Sequence, residues 1–442
     1  MKIPCSYIFL LFYVLAAQSQ WKEQHSGTSA YLYGLCFYNS SNGWIVGDSA
    51  TILTTTDGGD TWRSQKSEFS GTRTTFRSVY FVDSLQGWIC GDGGSLLHST
   101  DGGNTWLRDT ILEDSSRTLT DIFFSNKSKG WISGSHWYGD VGSGGSIWMT
   151  ENGGISWNRQ LYLDPSSGHP GVLVKLSAVD SLHVWSAGFI TQPFVKPQPY
   201  YFVHTIDGGS SWNFDTLPGN SVPSNVEFKD LMHGWTLSNA SIYRTTDGGS
   251  VWTNYNLPFY SFEYTPLHFI DSDTGYLAGY VVSNATILYG IFKTTNGGIS
   301  WGRQVLPSMK DRINALFFSN SINGWIVGEN GKVFHTTNGG GQIVGVRDDR
   351  LLPIECSLFQ NFPNPFNPTT DFRFRIGPHG GEFVTLKVFD VLGREVATVL
   401  NEQKSPGEYR VSWDASALSS GVYFYRLTAG TFTDIKKLLL VR

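Results

Sequence analysis

The chain has 442 residues, 40% of them hydrophobic, so it is long enough for more than one domain and can fill a sizeable core. Its formal net charge of −5 is mild, and the sequence has no long run of one sign and no basic stripe, which argues against a nucleic-acid partner. The 50 glycines, 16 tryptophans and 15% aromatic content are typical of many short strands joined by tight turns. We therefore expect an all-β fold.

Residues 1–20 have the features of a secretory signal peptide. Lys2 precedes an apolar run from Tyr7 to Ala17, and the small or polar Gln18-Ser19-Gln20 follow it. The run is too short to cross a bilayer. We therefore expect export, and no transmembrane span in the chain that remains after signal cleavage.

An eight-residue motif, first seen as Thr55-Thr56-Asp57-Gly58-Gly59-Asp60-Thr61-Trp62, recurs through the next three hundred or so residues. Its copies are separated by 44, 51, 55, 40, 49 and 42 residues, which is the period of a four-stranded propeller blade. We expect the acidic or amide side chain to bond backbone N–H groups two residues further on, and the glycine pair to supply positive φ angles. The structural Asp-box positions are Asp57, Asp101, Asn152, Asp207, Asp247, Asn296 and Asn338.

A second signature, as in Gly43-Trp44-Ile45-Val46-Gly47, lies between successive boxes, behind a short apolar strand. Each blade thus consists of an inner strand, a Gly-Trp strand, a third strand, the box and an outer strand. The seventh box lacks the Trp after Gly340, whereas Trp21-Lys22-Glu23-Gln24 resembles a strand that follows a box. We predict a seven-bladed β-propeller over residues 21–346, whose N-terminal strand closes the last blade and removes open edges.

This order of strands predicts boxes and inner turns on one face of the propeller and the longer, more variable loops on the other. Exposed loops on a rigid scaffold usually carry function, and aromatic residues dominate interfaces and sugar stacking. The aromatic candidates for binding are Trp137, Tyr138, Phe194, Tyr200, Tyr201, Phe259 and Tyr260. The basic candidates, which could gather near the central channel, are Arg73, Arg77, Arg117 and Arg312. Alternatively, the insertions pack on their own blades and the arginines are solvated or paired.

A different module follows the propeller. Residues 347–357 contain the charge cluster Arg347-Asp348-Asp349-Arg350 and are interpreted as a linker. Residues 358–442 show short strands punctuated by Gly and Asp, which predicts a small C-terminal β-sandwich.

Two resemblances follow from these motifs. The boxes resemble Asp-box (BNR) repeats of sialidases, sortilin-type receptors, xyloglucanases and, most closely, the photosystem II assembly-factor family, in which a basic patch contacts a membrane-protein client. Residues 358–442 resemble the type A C-terminal sorting domain of type IX secretion cargo, through Asn364-Pro365-Phe366-Asn367-Pro368 and Gly421-Val422-Tyr423. This similarity implies engagement of the type IX machinery through residues 358–442, and a secreted or outer-membrane cell-surface location.

The sequence does not specify a reaction. The sialidase hallmark has only one near match, Phe374-Arg375-Ile376-Gly377, which lies in the sorting domain. A glycosidase needs two facing carboxylates, and the unpaired candidates are Asp114, Asp140, Asp164 and Glu263. We expect no metal and no cofactor, because the ten histidines show no ligand spacing. We interpret the chain as a non-catalytic binding or scaffold module for a glycan or protein; the alternative is a sialidase-like or xyloglucanase-like secreted glycoside hydrolase.

The cysteines leave two alternatives open. Cys36, Cys90 and Cys356 remain after the leader is removed, and this odd number excludes a complete disulfide framework. Cys36 and Cys90 either form one bridge between neighbouring repeats or are two buried thiols.

Overall fold

The computed structural model describes residues 20–441 except 110–116, 138–142, 164–171, 190–200, 219–220, 222, 239–240, 261–264, 284–285, 308–309, 342, 345–356, 377–382, 405–406 and 431. All of the predicted signal peptide except Gln20 and nearly all of the predicted linker therefore lie outside the described residues. The chain divides into two compact units, Met1–Gly345 and Val346–Arg442.

Seven antiparallel sheets make up the described part of the first unit, and we number them as blades in chain order. From the innermost strand outward, blade 1 contains Leu32–Phe37, Gly43–Gly47, Thr51–Thr55 and Arg63–Ser64; blade 2 contains Phe76–Phe81, Gly87–Gly91, Leu96–Ser99 and Leu107–Asp109; and blade 3 contains Arg117–Phe124, Gly130–Trp137, Ser143–Thr150 and Asn158–Leu163. In the same order, blade 4 contains Val172–Ala178, Val184–Phe189, Tyr201–Thr205 and Asn213–Thr216, and blade 5 contains Asn225–Phe228, Gly234–Ser238, Ser241–Thr245 and Thr253–Asn256. Blade 6 contains Leu267–Phe269, Gly275–Ser283, Thr286–Thr294 and Gly302–Gln304, and blade 7 contains Ile313–Phe318, Gly324–Gly328, Val333–Thr336 and Lys22–Gln24. A short strand, Ile343–Val344, adds to the outer edge of blade 6, and Asp92–Gly94 and Glu329–Gly331 form 3₁₀ turns.

The ring of blades is closed by the N-terminal segment. Each innermost strand contacts those of its two neighbours, including the pair from blades 1 and 7. Lys22–Gln24 pairs antiparallel with the third strand of blade 7. Trp21 is only 2% exposed and donates its indole N–H to Gln304 Oε1 at 3.1 Å, while Gln20 accepts a hydrogen bond from the box residue Asn338. The predicted propeller, with its N-terminal strand completing the last blade, is confirmed.

Each box is a compact hydrogen-bonded turn, as blade 1 shows. Asp57 accepts hydrogen bonds from the backbone N–H of Thr61 at 2.9 Å and from its hydroxyl at 2.6 Å. The N–H of Gly59 instead donates to the Thr55 hydroxyl at 2.8 Å. The prediction that the Asp57 side chain bonds an N–H two residues further on is therefore wrong. The left-handed Gly58 and Gly59, with φ of 73° and 92°, turn the chain so that Thr61, four residues after Asp57, faces the carboxylate. Hydrogen bonds from Thr61 lower the pKa of Asp57 to about 2.

This geometry predicts that Asp57→Asn is mild and Asp57→Ala is harmful. The asparagine of blade 3, Asn152, accepts the N–H of Ser156 at 2.9 Å and donates to its hydroxyl at 2.8 Å, so an amide keeps both bonds. At pH 7 we expect thermal unfolding to give a lower midpoint for Asp57→Ala and nearly the wild-type midpoint for Asp57→Asn. Because folding lowers this pKa, the carboxylate stabilises the fold above about pH 4, and the stabilisation is lost as the pH falls through about 2. Equal damage from both variants would contradict this account.

Neighbouring blades are joined by a repeated aromatic contact. Trp44 of blade 1 stacks on Phe81 of blade 2 with ring centroids 3.5 Å apart, and the box residue Trp106 meets the same ring edge-on at 5.8 Å. Gly87 lies directly under Phe81, where an added Cβ would be 2.5 Å from the ring. Six blades combine a Phe at the end of the inner strand with a Gly at the start of the next, whereas blade 4 has Ala178 and Val184. The equivalent stacks are Trp88–Phe124, Trp185–Phe228, Trp235–Phe269, Tyr276–Phe318 and Trp325–Phe37.

The second unit consists of two packed sheets within its described residues. One contains Ser357–Leu358, Thr369–Ile376 and Gly407–Asp414, and the other Glu395–Glu402, Val384–Phe389, Gly421–Ala429 and Phe432–Leu440. One buried cluster joins them, including Phe372, Phe374, Leu386 and Tyr425. The near match to the sialidase hallmark is part of this core, because Phe374 and Ile376 are fully buried in the strand Thr369–Ile376.

Cys36 and Cys90 are buried free thiols and form no disulfide bridge, which is the second of the two alternatives. Burial raises the pKa of Cys36 to about 11 and also raises that of Cys90. Both thiols are therefore protonated and poorly reactive at neutral pH. Cys356 lies outside the described residues.

Candidate functional site

The two faces of the propeller differ in what builds them. On one face, each box bonds to the inner turn of its own blade, as Gly58 N–H does to the Ser41 carbonyl at 2.9 Å. We call this the box face. On the opposite face, the turns after the Gly-Trp strands bond to segments entering the inner strands, as Ala50 N–H does to Thr74 O at 2.7 Å and Asp92 N–H does to Thr75 O at 2.9 Å. We call this the loop face, and it is where the binding candidates were expected.

Several of these candidates fall in parts of the chain that the structure does not describe. For Trp137 and Tyr201, which end and begin strands, only the backbone is described. The aromatic candidates outside the described residues are Tyr138, Phe194 and Tyr200. The hydrolase candidates outside them are Asp114, Asp140, Asp164 and Glu263.

The aromatic pair after blade 5 splits between the core and the surface. Phe259 is 4% exposed and stacks on Phe292 with a centroid distance of 3.5 Å, so its proposed exposure for binding is wrong. It fills the space above Gly279, where an added Cβ would lie 2.5 Å from its ring. Tyr260 is 46% exposed and lies on Tyr280, with centroids 5.4 Å apart and two backbone hydrogen bonds of 2.9 Å between them. Tyr260 is thus a rigidly held surface ring.

A series of tyrosines leads from Tyr260 to the charged groups of blade 7. Tyr280 lies 6.0 Å from Tyr289, measured between ring centroids. Burial raises the pKa of Tyr289, the carboxylate of Glu329 adds to this effect, and Arg312 opposes it. Glu329 and Arg312 therefore act on the Tyr289 hydroxyl in opposite directions. The backbone also joins these two residues, since Glu329 N–H donates to Arg312 O at 3.1 Å.

Tyr33 of blade 1 is influenced by the same Glu329 and by Arg77 of blade 2. Burial raises the pKa of Tyr33, as do Asp48 and Glu329, while Arg77 lowers it. Arg77 forms a bidentate ion pair with Asp92, at 2.5 and 3.1 Å. We call this series of side chains the tyrosine–arginine strip; its members are Tyr260, Tyr280, Tyr289, Arg312, Glu329, Tyr33 and Arg77.

The remaining basic candidates, Arg117 and Arg73, are in different surroundings. The Arg117 guanidinium lies over the Trp148 ring of its own blade, 5.5 Å from the centroid. Arg73 is exposed on the connection between blades 1 and 2. Arg77 is paired with Asp92, as the alternative interpretation expected, and the gathering of the arginines near the central channel stays a prediction. The tyrosines of the strip other than Tyr260 were not singled out from the sequence.

A polar cluster on the innermost strands of blades 3 to 6 was missed at the sequence level. Lys175 pairs with Asp121 at 3.0 Å, and Asp121 also accepts the N–H of Leu176 at 3.0 Å. Glu227 accepts the N–H of Phe269 at 3.1 Å and lies 3.2 Å from His268. Burial disfavours the charged form of Lys175, but Asp121 outweighs it and raises the Lys175 pKa.

These side chains connect innermost strands of neighbouring blades, which share no backbone ladder. Asp121 and Glu227 each satisfy an N–H of the next blade, so we assign the cluster a structural role. The sequence did contain a signal for this cluster, namely charged residues at inward positions of otherwise apolar inner strands. Within the described residues, no group of three or more His, Cys, Asp or Glu side chains could hold a metal ion, and none of the described helices has the length and apolarity to cross a membrane.

Comparison with known proteins places both units. Residues 14–114 match the family model described as photosynthesis system II assembly factor YCF48, and residues 360–441 match that of the secretion system C-terminal sorting domain. The chain is a BNR-type β-propeller with a type IX sorting tail. The sorting tail assigns this propeller to secreted or cell-surface cargo.

Relatives of the propeller agree with this result. The photosystem II assembly lipoprotein Ycf48 of Synechococcus sp. (strain RCC307) is 35% identical over 52 residues, which span 12% of this chain and 16% of that relative. The solved structures of YCF48 bound to D1 peptide and of YCF48 from Cyanidioschyzon merolae each have a TM-score of 0.55 and 20% identity. They cover 72% of this chain, and 97% and 98% of their own chains. At this identity the structural likeness establishes the fold alone.

Proposed function

We propose that the protein is an exported, non-catalytic binding module whose loop face binds an extended segment of a partner protein. The observation that carries this proposal is the tyrosine–arginine strip, which joins blade 6 to blades 7, 1 and 2 on that face. Residues 358–442 serve the type IX secretion machinery, and the propeller meets its partner outside the cell or at its surface.

The composition of the strip suits recognition of a protein segment. Tyrosine supplies a large contact area with few side-chain rotations to freeze, and arginine adds directional hydrogen bonds. The stack and the two backbone bonds between Tyr260 and Tyr280 hold both rings in place before a partner arrives. Such preorganisation reduces the entropy cost of binding.

The solved relative supports a peptide rather than a sugar. YCF48, which shares this fold, has been solved bound to D1 peptide. A glycan could also stack on tyrosines, so glycans form the second arm of the binding test. The sorting tail directs this propeller out of the cell, so its partner lies outside the cell or at its surface and is not a photosynthetic protein.

Selection of peptides on the protein tests the proposal. A phage-displayed random peptide library is panned on the full chain, and the affinity of each enriched peptide is measured by fluorescence anisotropy. We expect Tyr260→Ala/Tyr289→Ala to weaken binding at least tenfold. The matched control is Tyr162→Ala, which removes an exposed ring on the outer strand of blade 3, away from the strip.

The controls separate loss of the site from loss of the fold. Thermal unfolding must give similar midpoints for the wild type and both variants. Enriched peptides that bind the double variant as tightly as the wild type contradict the site, and a library that yields no strip-dependent binder contradicts a protein-segment ligand.

A further inference from the structure

The box face carries an apolar surface on blades 4 and 5. Five aliphatic side chains there are between 44% and 63% exposed. Two come from inner turns and boxes of blade 4 and three from those of blade 5; they are Leu182, Ile206, Leu231, Met232 and Val251. We call this group the aliphatic patch.

The patch is held on rigid turns, so its side chains do not fold back into the core. In blade 4, Asp180 accepts the N–H of Leu182 at 2.7 Å, and the Leu182 carbonyl accepts a box N–H at 2.9 Å. In blade 5, Asp230 and a box N–H hold Met232 in the same way, at 2.8 and 3.0 Å. A partner that covers these side chains therefore pays little to order the backbone beneath them.

The inner turns of the other blades differ from those of blades 4 and 5, although the boxes of blades 3 and 6 also carry an exposed isoleucine, Ile155 and Ile299. The residue in the position of Leu182 and Met232 is polar in blades 1, 3 and 6, where it is Ser41, Ser128 and Asp273. Blades 2 and 7 carry single aliphatic residues there, Leu85 and Ile322. Exposed aliphatic side chains grouped on two neighbouring blades are a feature of interaction sites.

Carboxylates surround the patch and outnumber the basic groups. Those of the turns and boxes are ionised at neutral pH, because hydrogen bonds from neighbouring N–H and hydroxyl groups lower their pKa values; they are Asp180, Asp207, Asp230, Asp247 and Asp271. Asp273 adds a sixth acid on the next turn. Among the basic groups, Lys129 lies against the box of blade 4, Arg244 lies against the box of blade 6, and Lys229 precedes the inner turn of blade 5. His183 and His233 are paired with Asp180 and Asp230.

We propose that the aliphatic patch is a second docking surface, whose occupant is a basic amphipathic segment of a partner protein. Aliphatic side chains of that segment cover the patch, and its lysines and arginines face the surrounding carboxylates. A second copy of this chain fits less well, since stacking two acidic box faces brings like charges together. This surface is independent of the tyrosine–arginine strip, which lies on the opposite face.

A designed peptide pair tests this surface. The probes are a helical peptide of leucine and lysine with one apolar face and the same peptide with glutamate in place of every lysine. We expect the lysine peptide to bind the full chain, with an affinity that falls as salt rises, and the glutamate peptide to bind at least tenfold more weakly. Leu182→Ser/Met232→Ser should weaken the lysine peptide at least tenfold.

The control variant is Ile322→Ser, at the equivalent turn of blade 7. Ile322 is about as exposed as Met232, and its N–H is held by Asn320 at 3.0 Å. Equal weakening by Ile322→Ser, equal binding of both peptides, or unchanged binding in the double variant overturns the proposal. Sedimentation that shows self-association of the wild type and none of the double variant assigns the patch to a second copy and overturns this occupant. Unchanged thermal midpoints verify that the exposed substitutions leave the fold intact.

Discussion

Trp21→Ala is expected to lower the free energy of unfolding of the propeller by about 3–5 kcal/mol, the usual cost of removing a buried aromatic side chain. The ring packs edge-on against Phe318 with centroids 5.8 Å apart and supplies the tryptophan that the seventh box lacks. Its loss also leaves Gln304 without an indole donor. Urea unfolding of the full chain, followed by tryptophan fluorescence and circular dichroism, measures the change.

The matched control is Lys22→Ala, in the same N-terminal strand. Lys22 is exposed, so its removal should change stability by less than about 0.5 kcal/mol. If Trp21→Ala unfolds at the same urea concentration as Lys22→Ala, the N-terminal segment does not close the ring.

The second prediction concerns the Phe–Gly pair of each blade. Gly87→Val is expected to cost about 3 kcal/mol, because its side chain enters the space of the Phe81 ring. Phe81→Ala should cost about 3–5 kcal/mol through the cavity between Trp44 and Trp106. Their combination recreates the Ala178 and Val184 pair of blade 4, so we expect it to be no less stable than Phe81→Ala alone.

A double-mutant cycle measures this coupling directly. The sum of the two single-variant costs should exceed the cost of the double variant by about 3 kcal/mol. This interaction energy is at the upper end of the range for residues in contact. Simple additivity of the two costs would show that the valine and the ring do not compete for one space. The natural exception in blade 4 is the reason to expect that the fold accepts the replacement pair.

The fold was accessible from sequence because its determinants are local and repeated. The glycine pair and the flanking hydroxyls of each box impose one turn seven times, and Trp21 outside any box pointed to the N-terminal closure. The bond from Asp57 to Thr61 was misjudged, since two consecutive left-handed glycines change which N–H groups meet the carboxylate.

The candidate site was only partly accessible, because its members come from different blades. Tyr260 and Phe259 are adjacent and alike in sequence, yet one stacks on a surface strand and the other fills the space over Gly279. Tyr33 and Tyr289 looked like ordinary strand residues, and the strand of blade 1 that contains Tyr33 meets the turn Glu329–Gly331 of blade 7 only through ring closure. Packing between distant blades, which has no pattern within one repeat, decides both outcomes.

The two faces give the exported propeller separate surfaces. The loop face offers tyrosines and arginines, and the box face offers aliphatic side chains among carboxylates. Because the strands of the same blades run between both faces, one molecule could hold two partners at a fixed separation, which is the behaviour of a scaffold.

One assay tests the central claim of binding without catalysis on the loop face. The full chain is applied to immobilised peptides from the library selection and to a panel of glycans and polysaccharides, and bound protein and released product are scored in the same wells. The account predicts retention on peptides, loss of that retention in Tyr260→Ala/Tyr289→Ala, and no released sugar or cleaved peptide. Released sugar, or retention on glycans that the double variant keeps, would contradict it.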